Sequence, residues 1–164
     1  MTLMKKYLVT GGAGFIGSNF VKYLVGKYGD DVRIVVLDCL TYAGNLSTIA
    51  PELALPNVEF VKGDIGDAAV VREILQSFDP DFVVNFAAES HVDRSIENPR
   101  LFLETNILGT QNMLERVREA WAVGKDADGR PLYRPGKKYL QISTDEVYGS
   151  LFKDYTDPQP LEIT

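Results

Sequence analysis

The sequence has few of the residues that build disulfides and zinc sites, with one cysteine and one histidine among 164 residues. A single thiol cannot form an internal disulfide, and one cysteine with one histidine cannot supply the ligand spacing of a zinc site. We therefore expect no bound metal. Cys39 follows an apolar run and has no basic neighbour, so we interpret it as a small hydrophobic residue and not as a reactive thiol.

The chain also lacks an excess of positive charge and any long hydrophobic run. Its net charge is −6, and its two basic pairs, Lys5-Lys6 and Lys137-Lys138, are short. This pattern is not that of a nucleic-acid-binding surface. The apolar stretch near the first residue is too short for a signal peptide, and none reaches the length of a transmembrane helix. We expect a cytoplasmic protein without nucleic-acid or membrane partners.

Hydrophobic residues make up 45% of the chain, enough for one substantial core, so we predict a single domain over residues 1–164. Apolar runs rich in β-branched residues predict strands, and segments with apolar residues three or four positions apart predict helices between them. This alternation is typical of an α/β domain with a parallel sheet. The predicted strands are residues 7–10, 33–37, 58–61, 82–86 and 139–142, and the predicted helices are Phe15–Tyr28, Ala68–Phe78 and 99–122, the last capped by Asn98.

Two regions interrupt the alternation. Residues 124–136 are rich in glycine, aspartate, proline and lysine, which predicts an exposed excursion without a catalytic signal. The last ten residues contain two prolines and no pattern of a closing helix or strand. We therefore expect the C-terminal part of the fold, and a substrate domain, to lie outside this chain.

A glycine-rich turn directly follows the first predicted strand and opens the first predicted helix. Residues 10–18 read Thr-Gly-Gly-Ala-Gly-Phe-Ile-Gly-Ser, which contains Gly-x-Gly-x-x-Gly from Gly12 to Gly17. Such glycines allow a tight turn, a close approach of backbone amides to a pyrophosphate, and close packing of the helix on the strand. The N-terminus of the helix then favours the negative charge of the phosphates.

The second predicted strand ends at Asp38, about twenty residues after the turn, where a carboxylate can accept hydrogen bonds from the adenosine ribose. No arginine or lysine follows directly, and a carboxylate would repel a 2′-phosphate, so NAD is predicted over NADP. Turn and carboxylate together predict a Rossmann-like doubly wound parallel sheet. Asp64-Ile65 could hold the adenine or form a plain turn with a helix cap, and Ala87-Ala88 leave room for the nicotinamide half.

Four segments together resemble the extended short-chain dehydrogenase/reductase family, and within it the nucleotide-sugar 4,6-dehydratases: residues 10–18, 38–45, 85–95 and 142–149. The resemblance covers nearly the whole chain. It implies a nucleotide sugar, dTDP-glucose, as substrate, NAD as cofactor, and a homodimer for the full-length protein, paired through helices that include residues 102–122. Epimerases of the family normally lack an acidic pair such as Asp145-Glu146. Where members of the family have a lysine directly after the carboxylate that binds the ribose, this chain has Cys39.

The resemblance also implies roles for individual residues. Thr144 would lie at the substrate hydroxyl being oxidised, and Ser90 would contact the substrate beside it. Oxidation at the sugar C4 acidifies the C5 proton for removal by Glu146, while a protonated Asp145 expels the C6 hydroxyl as water. Hydride then returns to C6, so the cofactor stays bound through the cycle. The residues expected to line the NAD site are Gly11, Gly14, Phe15, Ile16, Gly17, Asp38, Thr41, Asp64, Ile65, Ala87, Ala88 and Thr105.

Hydride transfer in this family requires a Tyr-x-x-x-Lys pair, which we expect after the last residue of this chain. Two formal matches occur, and neither fits. Tyr23 and Lys27 lie on the helix behind the glycine turn, and the turn from Tyr133 to Lys137 contains proline and glycine. We therefore expect the 164 residues to bind NAD without turnover. The alternatives left open are another nucleotide-sugar dehydratase, such as one acting on GDP-mannose, a 4-epimerase, and a non-catalytic NAD-binding module.

Overall fold

Five parallel strands form the central sheet in a computed structural model of the chain, which describes residues 4–144 and 147. The strands in chain order are β1 Lys5–Thr10, β2 Val32–Asp38, β3 Val58–Lys62, β4 Phe82–Asn85, β5 Ala122–Lys125, β6 Pro131–Tyr133 and β7 Lys138–Gln141. The sheet runs in the order β3-β2-β1-β4-β7, and β5 pairs only with β6, antiparallel. The five predicted strands and the doubly wound, Rossmann-like fold class are confirmed.

Within residues 4–144, six α-helices connect the strands: α1 Phe15–Tyr28, α2 Ala50–Leu53, α3 Ala68–Phe78, α4 Val92–Glu97, α5 Pro99–Phe102 and α6 Thr110–Trp121. A π-helical segment, Leu103–Gly109, joins α5 to α6, and short 3-10 turns occur at Gly29–Asp31 and Leu46–Ile49. The bounds of α1 and α3 are those predicted. The predicted helix over residues 99–122 is interrupted by the π-helical segment, and Asn98 caps its start by accepting from the Leu101 amide at 3.4 Å.

The helices cover both faces of the sheet, and each face has its own core. On one face α3 and α6 pack together, and Trp121 and Phe78 are buried there against Leu8 and Val83. On the other face α1 packs over the sheet through Val21 and Leu24. Because both faces are covered, the strands are buried on both sides, which explains their near-continuous apolar runs. The carboxyl ends of β1, β2 and β4 therefore open onto a single edge of the sheet.

The excursion over residues 124–136 is an exposed hairpin that is tied to the amino end of the sheet. Strands β5 and β6 are exposed along their length, as expected for an excursion. After β6, Arg134 donates two hydrogen bonds to the Asp79 carboxylate at 2.8 and 3.0 Å, and Lys137 donates a third at 3.1 Å. Asp79 ends α3 in the left-handed conformation with φ of 48°. The hairpin thus clamps the turn between α3 and β4, far from the carboxyl edge.

Replacing Asp79 with asparagine is expected to lower the free energy of unfolding by about 1 kcal/mol at pH 7, because the carboxylate is half exposed and its ion pairs are screened. Asparagine tolerates the left-handed backbone, so the change isolates the charge. Burial alone would raise the pKa of Asp79, but hydrogen bonds from Arg134 and Lys137 outweigh it and hold the pKa below its usual value.

A depressed folded-state pKa fixes the sign of the pH dependence. The Asp79 contribution is present above the unfolded pKa of about 3.9 and is lost as the pH falls through the folded value. Denaturant unfolding of the wild type and Asp79→Asn should therefore differ at pH 7 and converge towards pH 2. Glu104→Gln, which breaks the exposed pair with Arg100, serves as the control with a smaller effect. A difference that stays constant with pH would contradict this account.

Candidate functional site

The glycine turn lies at the carboxyl edge of the sheet, where the ends of β2 and β4 converge on it. Gly11 has φ of 66°, and its amide donates to the Leu37 carbonyl at 2.9 Å. A Cβ atom on Gly11 would lie 2.6 Å from the Ala87 amide nitrogen. A Cβ atom on Gly17 would collide with the Gly11 carbonyl oxygen. Position 11 therefore requires glycine both for backbone conformation and for space, and position 17 requires it for space.

The N-terminus of α1 points out of this turn with its first amides free of a side-chain cap. Gly14 is the N-cap residue, and the first turn contains no acidic side chain. Phe15 and Ile16, both predicted to contact the cofactor, are 84% and 62% exposed at the start of the helix. An uncapped helix N-terminus carries unsatisfied N–H donors and a partial positive charge, which suits a phosphate group.

Asp38 ends β2 and binds the glycine turn directly. Its Oδ2 accepts from the Ala13 amide at 3.0 Å, and its Oδ1 accepts from the Leu40 amide at 2.8 Å. The residue is only 9% exposed, yet it faces the cleft that the turn borders. A carboxylate has about four acceptor positions, so two remain for a ligand's hydroxyl groups. The backbone amides hold the carboxylate in one orientation.

An open cleft lies between the turn, the loop after β2, the loop after β4 and the π-helical segment. Phe15, Ile16 and Gly17 do not line it, since Gly17 lies beneath Gly11 and the other two stand at the helix start. The predicted residues that do line it are Gly11, Gly14, Asp38, Thr41, Asp64, Ile65, Ala87, Ala88 and Thr105.

Asp64 and Ile65 form a turn as well as a wall of the cleft. The Asp64 Oδ1 accepts from the Gly66 amide at 2.7 Å, and Ile65 is buried in the core. The helix cap of α3 is a different residue, Asp67, whose carboxylate accepts from the amides of residues 69 and 70. Asp64-Ile65 is thus a turn that also lines the cleft, and it does not supply the helix cap.

Glu89 is a cleft residue that the sequence did not single out. It is 5% exposed and lines the cleft, and its Oε2 has no hydrogen-bond partner among the described residues. Its backbone is fixed by Asn106, which accepts from the Glu89 amide and donates to the Glu89 carbonyl, both at 2.8 Å. A buried carboxylate oxygen without a donor is costly unless a ligand or water supplies one. Only the fold shows that this residue of a polar loop is buried.

A partly buried chain of polar side chains crosses β1, β4 and β7 near their carboxyl ends. Thr10 donates to Asn85 Oδ1, Asn85 donates to Gln141 Oε1 at 2.9 Å, and the Tyr139 hydroxyl donates to the same oxygen at 2.7 Å. Burial raises the pKa of Tyr139 to about 12, so this phenol stays protonated. The chain fixes the carboxyl ends of β4 and β7 next to each other.

The predicted substrate residues follow these two strand ends. Ser90 comes after β4 and Thr144 after β7, and both are exposed. Since β4 and β7 are hydrogen-bonded neighbours, the two residues belong to the same edge of the sheet. The predicted acid and base, Asp145 and Glu146, lie outside the described residues.

Cys39 lines the cleft with an exposed side chain and is not the buried hydrophobic residue that an apolar run suggests. The side chain is exposed as a whole, but partial burial of its sulfur atom raises the pKa of Cys39, and the nearby carboxylates of Asp64 and Asp38 raise it further. A raised pKa disfavours the thiolate. The expectation of an unactivated thiol therefore agrees with its surroundings.

Neither internal Tyr-x-x-x-Lys match lies at the cleft. Tyr23 and Lys27 form an exposed pair on α1, with the Lys27 amine 2.7 Å from the phenol oxygen. Tyr133 is part of the exposed strand β6, and Lys137 is engaged by Asp79 and Asp81 at the opposite edge of the sheet. Both pairs therefore lie outside the cleft.

Residues 4–144 and 147 contain no cluster of three or more histidine, cysteine or acidic side chains arranged to hold a metal ion. No helix in the same part of the chain is long and apolar enough to cross a lipid bilayer.

Comparison with known proteins places this chain in a family. The sequence profile of the GDP-mannose 4,6 dehydratase family matches residues 8–161. A dTDP-glucose 4,6-dehydratase from Xanthomonas campestris pv. campestris is 53% identical over 148 residues, which is 90% of this chain and 40% of that protein. The chain thus spans about 40% of the length of the curated relatives it matches.

Solved structures show the same fold. The dTDP-glucose 4,6-dehydratase DesIV from Streptomyces venezuelae, with NAD and TYD bound, is 45% identical, with a TM-score of 0.74 over 96% of this chain and 45% of that one. A UDP-Glc/GlcNAc 4-epimerase from Campylobacter jejuni is 27% identical, with a TM-score of 0.72 over 96% of this chain and 44% of that one. The two structures match the fold of this chain about equally well, but the dehydratase has the higher sequence identity to it.

Proposed function

This chain belongs to the GDP-mannose 4,6 dehydratase family, and on that premise we propose that it is the NAD-binding domain of a dTDP-glucose 4,6-dehydratase. The observation that carries the proposal is the cleft in which a glycine turn, an uncapped helix N-terminus and the Asp38 carboxylate meet. The glycine turn lets the backbone approach the pyrophosphate of a dinucleotide, the helix N-terminus favours the negative charge of the pyrophosphate, and the Asp38 carboxylate suits the hydroxyl groups of the adenosine ribose.

The residues of the cleft fit NAD on structural grounds. The glycine turn leaves a cradle that a Cβ atom would fill, since a side chain on Gly11 would meet the β4 loop at 2.6 Å. Glu89 offers a buried acceptor that lacks a donor among the described residues, and it lies on the β4 side of the cleft. The two ends of a dinucleotide lie on opposite sides of the first strand, so Asp38 and Glu89 mark the adenosine and nicotinamide sides.

Asp38 also supports NAD over NADP. A 2′-phosphate would lie against a carboxylate that is already fixed by two backbone amides and cannot turn away. No cation follows it in the chain, since residues 39–41 are cysteine, leucine and threonine. Repulsion without a compensating arginine disfavours the phosphate form.

The proposed reaction assigns the chemistry to the segment after β7. Bound NAD would supply the hydride acceptor for C4 and the hydride donor for C6. Thr144 would orient the C4 hydroxyl, whose proton would pass to the tyrosine of the family's Tyr-x-x-x-Lys pair. Glu146 would remove the C5 proton and return it to C5 when C6 is reduced, and Asp145 would protonate the departing C6 hydroxyl, which leaves as water. These roles rest on the family resemblance. The polar chain from Thr10 to Gln141 supports them by fixing the strand end from which the segment starts.

The full protein is proposed to act as a cytoplasmic homodimer on dTDP-glucose. The choice of substrate is supported by the higher identity to dTDP-glucose dehydratases than to a 4-epimerase of the same fold. The choice of a dimer is supported by apolar side chains that the helical layer leaves exposed, namely Leu103, Ile107, Leu108 and Leu114. The location rests on composition alone.

Parallel assays with dTDP-glucose, GDP-mannose and UDP-glucose test the activity in the protein that carries this sequence. Mass spectrometry should show loss of one water from dTDP-glucose, and chromatography should show that UDP-glucose is not converted to its 4-epimer. Glu146→Gln should abolish the product while NAD binding persists, because it removes the base and leaves the cleft intact. Epimerisation of UDP-glucose, or dehydration of GDP-mannose alone, would contradict the substrate assignment.

A further inference from the structure

A short loop folds across the mouth of the cleft after β2. This strap, residues 39–45, contributes Cys39, Thr41, Ala43 and Gly44 to the cleft wall. Its far end is fixed to the glycine turn, since the Asn45 amide donates to the Ala13 carbonyl at 3.0 Å. The strap is therefore anchored at both ends, at Asp38 and at Asn45, and only its middle can move.

The middle of the strap is held to the opposite side of the cleft by an aromatic ring. The guanidinium carbon of Arg94 lies 4.1 Å from the centroid of the Tyr42 ring, within the range of a cation–π contact. The His91 ring meets the same tyrosine edge-on, with centroids 6.2 Å apart. Both partners belong to the start of α4, which continues from the cleft residues Ala88 and Glu89. The contact therefore bridges the two loops that flank the cleft.

The strap also contains a strained residue. Leu40 has φ of 57°, which bulky side chains rarely adopt, and its amide is held by the Asp38 Oδ1 at 2.8 Å. Strain of this kind persists only where surrounding contacts enforce it, and it concentrates in ligand clamps and switch regions. Releasing the tyrosine contact would remove one of the constraints that keep the strap closed.

We propose that Tyr42 and Arg94 form a clasp that closes the strap over the cleft and slows exchange of the dinucleotide. This rests on the proposed function. The proposed reaction regenerates NAD in every cycle, so it gains nothing from rapid exchange of the cofactor. Because the clasp joins the two loops that flank the cleft, it hinders entry as well as release. Opening it should therefore accelerate both.

Stopped-flow fluorescence with NADH as the probe measures both rates on the full chain. Tyr42→Ala should speed NADH release and association each by about two- to fivefold, the kinetic equivalent of an exposed cation–π contact, with a nearly unchanged Kd. Tyr42→Phe keeps the ring and should behave as wild type. Arg94→Gln should give most of the Tyr42→Ala effect, since it leaves only the edge-on His91 contact, and the double variant should equal Tyr42→Ala, because the loss of the ring already removes both contacts.

Tyr23→Ala is the matched control. Tyr23 is 54% exposed against 52% for Tyr42, and its ring also carries a nearby cation, Lys27 at 5.1 Å, but it lies outside the cleft. It should leave both rates unchanged. The clasp is refuted if Tyr42→Ala leaves release unchanged, if Tyr23→Ala has the same effect, or if Tyr42→Ala weakens binding by slowing association. A wild-type chain that binds no NADH would refute the cofactor assignment, and the clasp with it.

Discussion

Gly17→Ala is expected to weaken NAD binding by at least about a hundredfold. The added Cβ would collide with the Gly11 carbonyl oxygen and lie 2.9 Å from Gly12 Cα, both of them backbone atoms. Backbone cannot turn aside as a flexible side chain can, so the turn must open. An opened turn no longer presents its amides to the pyrophosphate. Titration calorimetry with NAD measures the loss.

Gly26→Ala is the control in the same helix. A Cβ at Gly26 meets nothing within 4 Å, so alanine should raise the free energy of unfolding by about 0.5–1 kcal/mol and leave NAD binding unchanged. Circular dichroism must show that Gly17→Ala keeps its helices. If a folded Gly17→Ala chain bound NAD as tightly as the wild type, the glycine turn would not be the pyrophosphate site.

Asp38→Asn is expected to weaken NAD binding by about 10- to 100-fold, since hydrogen bonds to a charged acceptor are worth about 1.5–3 kcal/mol. An asparagine has one oxygen, so its NH2 group would face either the Ala13 or the Leu40 amide, donor against donor. The ribose would also lose a charged acceptor. Loss of the charge should reduce the discrimination against NADP, so the ratio of the two dissociation constants should fall towards one.

Asp126→Asn provides the matched control for this substitution. The Asp126 carboxylate also accepts from two backbone amides, those of Asp128 at 2.9 Å and Arg130 at 2.8 Å, but in the exposed hairpin away from the cleft. It should leave both cofactor affinities unchanged. Discrimination against NADP that survives in Asp38→Asn would show that another residue reads the ribose.

The sequence predicts those parts of the fold and of the site that depend on residues close together in the chain. The bounds of α1 and α3 follow from apolar spacing, and α3 also has an Asp67 cap. The glycine turn and Asp38 are recognisable because a dinucleotide site imposes fixed residue types at fixed offsets along the chain. The structure places the two in direct contact, through the Ala13 amide.

The features that the sequence did not predict depend on residues far apart in the chain. Glu89 stands in a polar loop whose backbone is held by Asn106, 17 residues away. The clasp joins Tyr42 to Arg94, and the hairpin is fixed by an ion pair between Arg134 and Asp79. Cys39 follows a buried strand and yet is exposed, because the chain turns at Leu40 into the strap. The spacing of apolar residues along the chain does not predict contacts between residues that are far apart in sequence.

The most direct test of the central claim is calorimetric titration of the wild-type chain with NAD and with NADP under the same conditions. The account predicts saturable binding of NAD at one site per chain and binding of NADP at least about tenfold weaker, the equivalent of about 1.4 kcal/mol. Absence of NAD binding by a folded chain, or equal affinity for both cofactors, would contradict the assignment of the cleft as an NAD site read by Asp38.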